Sequence, residues 1–176
     1  ACSPVDTIIA PERLFPLVGE FYREQSGTRI RLLSEVLAGT WDALQSGRAD
    51  LVIGASGDAP AGGGFATLPL ARVQFAFVAA PAHPINGERL PLTAQTIQKY
   101  RAISVADSSR NLLPRTVGLL SGQDVLALPS MHAKIAAHVA GLGVGFLPLP
   151  VAEQEARAGR LNILPVEIAK PGGDAL

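Results

Sequence analysis

Three histidines, one cysteine and a scatter of serines and aspartates are the side chains of this 176-residue sequence with the means to act as nucleophile, base or metal ligand. Their spacing supports none of those roles. A serine hydrolase places its nucleophile in G-x-S-x-G, and Gly54-Ala55-Ser56-Gly57 lacks the last residue of that elbow. His83 precedes a proline in a turn, where a surface position is expected. His138 falls on a helix and is expected to face solvent. No histidine forms an i, i+4 pair with a second ligand type of the sort that holds zinc. Cys2 stands alone, so neither an intrachain disulfide framework nor a multi-cysteine metal site is available. Gly141-Leu142-Gly143-Val144-Gly145 departs from G-x-G-x-x-G and follows a helix instead of a strand. It reads as a helix stop, a tight turn and a strand in which Gly145 permits close backbone approach. No cofactor or metal is expected.

A different chemistry is favoured by short polar residues at the ends of the expected strands. These are Asp6 and Thr7, then Ser56, then Asp107, Ser108 and Ser109, then Ser130. In a parallel open sheet, strand ends meet helix N-termini, and free N–H groups and hydroxyls there hold small polar or anionic molecules. Each residue is also an ordinary cap or turn former. Four such points in one small chain are better explained by a shared cleft.

The elements that must position them alternate between strand and helix. Leu14, Leu17, Val18 and Phe21 give a helix over residues 11–23 one apolar stripe, with Pro11 in its first turn and Gly27 beyond its end. A strand over 28–34 follows, then a short helix over 40–46 capped by Thr40, then a buried strand over 51–55. Residues 56–65 form a loop and 73–80 a long strand. A helix over 93–100 is capped by Thr93. Strands at 102–105 and 125–128 flank a polar turn at 107–110. Ser130 caps a helix over 131–140, with Ile135 and Val139 on one face and Gly141 as its stop. A strand over 144–147, a helix over 151–158 and a strand over 161–165 complete the order, which is that of an α/β fold.

Composition sets outer bounds. Lys plus Arg and Asp plus Glu are 15 each, so net charge is zero, and phosphate contacts need clustered cations; this chain by itself is not expected to bind nucleic acid. With 48% apolar and 17% charged residues it buries a core instead of remaining disordered. No apolar run approaches the ~20 residues of a membrane helix. No signal peptide is visible, and a sequence without an initiator methionine is expected to be a trimmed fragment, from which one could have been removed.

Four stretches in order and at matching spacing resemble the effector-binding domain of LysR-type transcriptional regulators. Leu14-Phe15-Pro16-Leu17 through Phe21-Tyr22-Arg23 is similar to the family's first helix. Gly47-Arg48-Ala49-Asp50-Leu51-Val52-Ile53-Gly54 resembles its turn into a strand. Leu68-Pro69-Leu70, Phe75 to Ala80 and Pro81-Ala82-His83-Pro84 are similar to its crossover. Ala140-Gly141-Leu142-Gly143-Val144-Gly145-Phe146-Leu147-Pro148 resembles its AGLGIALLP segment. Gly39-Thr40-Trp41-Asp42-Ala43-Leu44, Asp107-Ser108-Ser109-Arg110 and Lys134-Ile135-Ala136-Ala137-His138 look most like the allantoin- and purine-catabolism regulators within that family.

The resemblance implies a two-lobed α/β fold of the type 2 periplasmic-binding-protein kind, two Rossmann-like subdomains joined by two crossover strands at 73–80 and 144–148. Residues 1–75 and 146–176 would form lobe I and 76–145 lobe II, with the effector between them. It implies effector contacts at Asp6, Thr7, Ser56, Asp107, Ser108, Ser109, Ser130, His132 and Phe146. A small-molecule effector is implied, a nitrogenous metabolite or a small carboxylate, since Asp6 and Asp107 suit N–H or O–H donors and Arg110 suits a carboxylate. It further implies a cytoplasmic, non-enzymatic protein that assembles as a homodimer or homotetramer. DNA would be reached only through a winged helix-turn-helix outside this sequence. Two features fit the family poorly: Pro4 would remove a ladder donor from a first strand, and the terminal strand is barely begun at Ala175-Leu176.

Two other readings stay open. A solute-binding protein for transport shares the fold class and would carry a signal peptide. A prephenate dehydratase shares a related fold, but Thr28-Arg29-Ile30, which resembles part of its Thr-Arg-Phe motif, opens an early strand. For the leading reading, Ser108→Ala and Thr7→Val are expected to weaken effector binding while changing stability little.

Overall fold

The computed structural model describes residues 2–6, 9, 11–25, 27–57, 59–60 and 64–175; the side chains of residues 2–6, 11 and 172–175 are outside the description. The chain divides into two compact units. The first holds Ala1–Ala71, Asp107–Arg115 and Asp174–Leu176; the second holds Arg72–Ala106 and Thr116–Gly173. The residues from Phe146 to Gly173 therefore group with the second unit, whereas the family resemblance assigns them to lobe I.

The first unit begins as a β-α-β motif. β1 (Cys2–Asp6) pairs in parallel with β2 (Arg31–Glu35), Pro4 opposite Leu33. The expectation that Pro4 disfavours a strand is overturned. The sheet has two described strands, and a proline is tolerated on a strand at a sheet edge. A 3-10 turn at Pro11–Arg13 leads into α1 (Phe15–Arg23), so the helix expected over 11–23 is a tight turn followed by nine helical residues. Leu14 is buried and Val18 and Phe21 are half-buried, but Leu17 of the same stripe is 60% exposed. α2 (Ala38–Gln45) starts two residues before the expected Thr40 cap. Its flank, Leu37, takes φ 52°, a strained conformation for a branched residue. Thr40 lies inside the first turn, and its hydroxyl donates to the Leu37 carbonyl at 2.7 Å.

No regular strand forms over 51–55. Leu51 is 55% exposed, and Gly54, at φ 83°, turns the chain within the apolar run. The indole of Trp41 is 2% exposed and donates to the Ser56 carbonyl at 3.2 Å.

The second unit is built on β3 (Ala71–Ala79), flanked by antiparallel β6 (Gly145–Pro148) and β7 (Asn162–Leu164), with β8 (Gly172–Ala175) also paired to β3. The terminal strand expected to be barely begun is thus a four-residue strand. α3 (Ala94–Gln98) precedes β4 (Ala102–Val105), which pairs in parallel with β5 (Val125–Leu128). A parallel bridge, Ala102 to Val144, joins this pair to β6; Ile103 N–H donates to the Val144 carbonyl and Val144 N–H to that of Arg101, both at 2.9 Å. α4 (Met131–Val139) lies on β4 and β5, and α5 (Leu149–Arg157) on β6 and β7.

Two apolar clusters fill the sheet's sides. One gathers Phe77, Ile85, Leu92, Ile97, Val144 and Phe146; the other gathers Ala76, Val78, Leu147, Ala152 and Leu161, with Met131, Ile135 and Val139 of α4 against it. The expected caps hold at two helices. Thr93 Oγ1 accepts from Thr96 N–H and Ser130 Oγ from Ala133 N–H, each at 3.2 Å.

The bridge to β6 depends on the turn before it. A Cβ on Gly143 would collide with the Arg101 carbonyl and crowd Ile103 Cγ1. Gly143→Ala is therefore expected to destabilise the chain by about 1–3 kcal/mol through overpacking, measured by urea unfolding against the wild type.

Candidate functional site

Each cluster of expected contact residues is best taken within its own unit. In the first unit, two carboxylates are buried: Glu35 at the end of β2, 7% exposed, and Asp42 in α2, 1% exposed. Arg48, just past the α2 stop at Gly47, reaches both. Its Nη1 lies 2.6 Å from Glu35 Oε1, its Nη2 2.8 Å from Asp42 Oδ2, and its Nε donates to Ser46 Oγ at 3.1 Å. The segment Asp107–Arg115 closes this network. Ser108 Oγ donates to Glu35 Oε2 at 2.5 Å and accepts from Val36 N–H at 2.8 Å. The N–H groups of Arg110 and Asn111 donate to Asp42 at 3.2 and 3.1 Å. Gly39 lies directly beneath Ser108, where a Cβ would overlap Ser108 Oγ.

Asp107 is equally committed. Its Oδ1 accepts from Ser109 N–H at 2.7 Å, and its Oδ2 accepts from Ala38 N–H at 3.0 Å and Arg115 N–H at 2.7 Å. Burial alone would raise the Asp107 carboxyl, but the Arg115, Ser109 and Ala38 amides outweigh it and hold it below the ordinary value. Asp42 follows the same logic: burial raises it, and the amides of Arg110 and Asn111 with the Arg48 guanidinium bring it below normal. The Ser109 hydroxyl donates to the Leu112 carbonyl at 3.1 Å. Ser56 is half-buried, and its carbonyl serves Trp41 and Arg115 Nη1. Asp6 ends β1 without a described side chain, and Thr7 lies outside the described residues.

In the second unit, Ser130 caps α4, and His132 is exposed in its first turn. Phe146 is 3% exposed, its ring edge-to-face with Phe77 at 5.2 Å, and Gly118 lies tight against it. Its surroundings are those of a core residue.

His138 does not face solvent. It is fully buried, and neither ring nitrogen makes a hydrogen bond. Burial above all, with the neighbouring charges of Lys134 and His83, pushes the imidazole down to about 3, so the ring is neutral at physiological pH. The buried part of the helix is wider than the stripe of Ile135 and Val139 and takes in the adjacent face of Lys134, Ala137 and His138. Lys134, one turn before His138, is 7% exposed, and burial lowers its ammonium to about 8. His83 caps the 3-10 turn at Pro84–Gly87 by accepting the Ile85 N–H at 3.3 Å, and its ring packs edge-to-face on Tyr100. Among the described residues no group of three or more potential ligands could hold a metal ion.

Comparison with known proteins decides the kinship. The model of the LysR substrate binding domain matches residues 5–174. This chain belongs to the LysR substrate binding domain family. Among relatives of this LysR domain, the probable HTH-type transcriptional regulator YhaJ of Escherichia coli K12 is 35% identical over 162 residues, covering 92% of this chain and 54% of its own length. YeeY of the same strain is 34% identical over 157 residues, 89% of this chain and 51% of its own. The HTH-type transcriptional activator AllS of Klebsiella pneumoniae is 33% identical over 141 residues, 80% and 52%. The LysR domain described here thus spans about half the length of the curated relatives it matches. Solved LysR regulatory domains share its fold: that of MetR from Neisseria meningitidis at TM-score 0.69 and 18% identity, covering 99% of this chain and 81% of that one, and that of CcmR from Synechocystis in complex with 2-PG at 0.68 and 18%, covering 99% and 84%. These matches bear out the two-lobed periplasmic-binding-protein-like α/β fold.

Sequence reasoning missed the Glu35–Arg48–Asp42 triad and the burial of Lys134 and His138. Asp42 and Arg48 both sit in stretches that carry the resemblance, but nothing in their spacing pairs them. The clue to α4 was its small residues: Lys134 and His138 share a face with Ala137 and Gly141, which bring that face close to a neighbour.

Two outcomes follow for the LysR domain. Ser108→Ala is expected to lower stability by about 1–3 kcal/mol in chemical denaturation, because it strips partners from a buried carboxylate and the Val36 amide; the earlier expectation of little change is revised. Lys134 is charged below pH 8 in both folded and unfolded chains, so the folded state bears the burial cost there. Stability should rise by ~3 kcal/mol as pH climbs from about 8 to about 10.5. Denaturation midpoints of the wild type and Lys134→Met across that range measure it: the rise should vanish in the variant.

Proposed function

We propose that this LysR domain senses a small molecule and passes its occupancy to a DNA-binding segment elsewhere in the full protein, without catalysing a reaction. The observation that carries this reading is the family match over residues 5–174, joined to relatives that are HTH-type transcriptional regulators. Two structural neighbours are in complex with small molecules, CcmR with 2-PG and QuiR with shikimate, which supports a small polar effector here. A nitrogenous metabolite or a small carboxylate fits the polar residues best.

The contact set divides by what each group still has to offer. Ser56, Ser130 and His132, with Asp6 at the end of β1 and Thr7 next to it in sequence, are the proposed direct contacts. Asp107, Ser108 and Ser109 spend their hydrogen bonds on the protein, so they would act by fixing backbone amides in place. The lobe assignment of 1–75 with 146–176, against 76–145, is retained as part of the proposal. Regulation requires the effector to prefer one conformational or assembly state over another; a tenfold preference is about 1.4 kcal/mol of coupling. The protein is proposed to work in the cytoplasm, where transcriptional regulators meet DNA.

A second copy of the chain is the proposed partner for α1. Phe15, Leu17 and Tyr22 are 55%, 60% and 53% exposed on a nine-residue helix, and Leu32 of the neighbouring strand is 38% exposed. Exposed apolar groups in such density mark an association surface, and homo-oligomers are the common outcome for soluble proteins.

Effector sensing is tested by titrating nitrogenous metabolites and small carboxylates into the chain under thermal denaturation. A true effector raises the melting temperature in proportion to log concentration; no ligand in a broad screen doing so counts against the reading. Association is tested by sedimentation of Leu17→Glu, expected to shift the chain from oligomer toward monomer while its far-UV circular dichroism stays that of the wild type. A wild-type monomer at high concentration would remove the α1 proposal.

A further inference from the structure

α4 buries two nitrogen-bearing side chains that effector sensing does not employ. Lys134 is 7% exposed and His138 fully buried, one helical turn apart on the same face. Side chains lean toward the N-terminus of their helix, so the His138 ring lies back over the turn that carries Lys134. The two sense each other: the Lys134 charge is among the influences that hold the ring neutral. Among the described residues, the unbonded side-chain atoms sealed from solvent are both on His138. The Lys134 nitrogen is also without an ion pair or hydrogen bond to them, yet it is not sealed. The small exposed part of this residue therefore includes its amine, at the rim of a buried stem.

That setting favours the uncharged amine. Burial without a counter-charge penalises an ammonium, and the adjoining imidazole is neutral. Arg101 and Arg160 of the same unit, by contrast, lie 2.7 and 2.6 Å from Asp124 and Glu155. Desolvation brings the Lys134 amine down to about 8, so a sizeable fraction is a free nucleophile near neutral pH. The product decides which electrophile suits the site. Carbon dioxide would leave an anionic carbamate, and an aldehyde a protonated imine, each again a charge without a partner. An acyl group leaves a neutral amide, which the buried face accepts at lower cost.

We propose that Lys134 is an acylation site, taking an acyl group from a small acyl phosphate, and that the neutral product strengthens the packing of α4 on β4 and β5. In the step, the neutral amine attacks the acyl carbon and a C–N bond forms. The bond from that carbon to the phosphate oxygen breaks, phosphate leaves with the electron pair, and the proton lost from nitrogen passes to water.

The test exposes the folded 176-residue chain to acetyl phosphate and follows acetylation at Lys99, Lys134 and Lys170, the three lysines of the sequence, by peptide mass spectrometry. Lys99 and Lys170 are exposed, so access alone favours them. Lys134 should nevertheless react about tenfold or more faster than either near neutral pH. In the guanidinium-denatured chain the three rates should converge. The folded chain acetylated at Lys134 should melt above the untreated chain. Lys134→Gln, which carries a neutral amide from the start, should melt at or above the wild type, and the same treatment should leave its melting temperature unchanged. Lys134 reacting no faster than Lys99 and Lys170 overturns the site. Preferential reaction with a melting temperature that stays or falls overturns the effect on α4. An equal rise in treated Lys134→Gln places the effect at another amine and overturns it as well.

Discussion

Glu35 and Asp42 are buried carboxylates that share a single guanidinium, and the architecture of the first unit follows from keeping that arrangement satisfied. Two negative charges out of water cost several kcal/mol each unless paired and fully hydrogen-bonded. Arg48 supplies the charge, with all three of its nitrogens engaged. It supplies too few donors for four carboxylate oxygens. The remainder come from residues 108–111, a segment about seventy positions away in sequence. That requirement explains why Gly39 has no side chain, since Ser108 occupies the place a Cβ would take. It also accounts for the strained Leu37, whose neighbour Val36 must offer both its N–H and its carbonyl to Ser108.

The second unit obeys a different constraint, close backbone approach. Gly143 passes against the Arg101 carbonyl, and Gly145 against that of Ile103, so β4 and β6 meet with no side chain between them. The glycine-rich run is a packing device, as its position after a helix implies. The same tightness seals His138 beside Gly145 and keeps it neutral. With that ring uncharged, Lys134 is left holding the positive charge on the buried face of α4.

These two constraints sort the polar residues at the strand ends into different kinds. Serine and aspartate look alike in a sequence whether they meet a ligand or the protein's own amides. Asp107 and Ser108 meet the protein. Ser130 caps its helix and, with the exposed His132, borders the N-terminus of α4.

Much was legible from sequence because it depends on neighbours along the chain. The α/β order, the caps at Thr93 and Ser130, the stops at Gly47, Gly141 and Gly159, and the two strands of the crossover regions all follow from local propensity and periodicity. The family was legible because four local motifs kept their order. Where a local signal competed with packing, packing won. Apolar residues 51–55 form no strand because Gly54 turns the chain, and the α2 start is set by Leu37 and not by the better cap Thr40. Burial of His138 and Lys134, and the pairing of Arg48 with both Glu35 and Asp42, were decided by tertiary structure alone. The reason is physical: helical periodicity says which residues share a face, but only the neighbour that covers the face determines whether a charge on it is hydrated, paired or left bare.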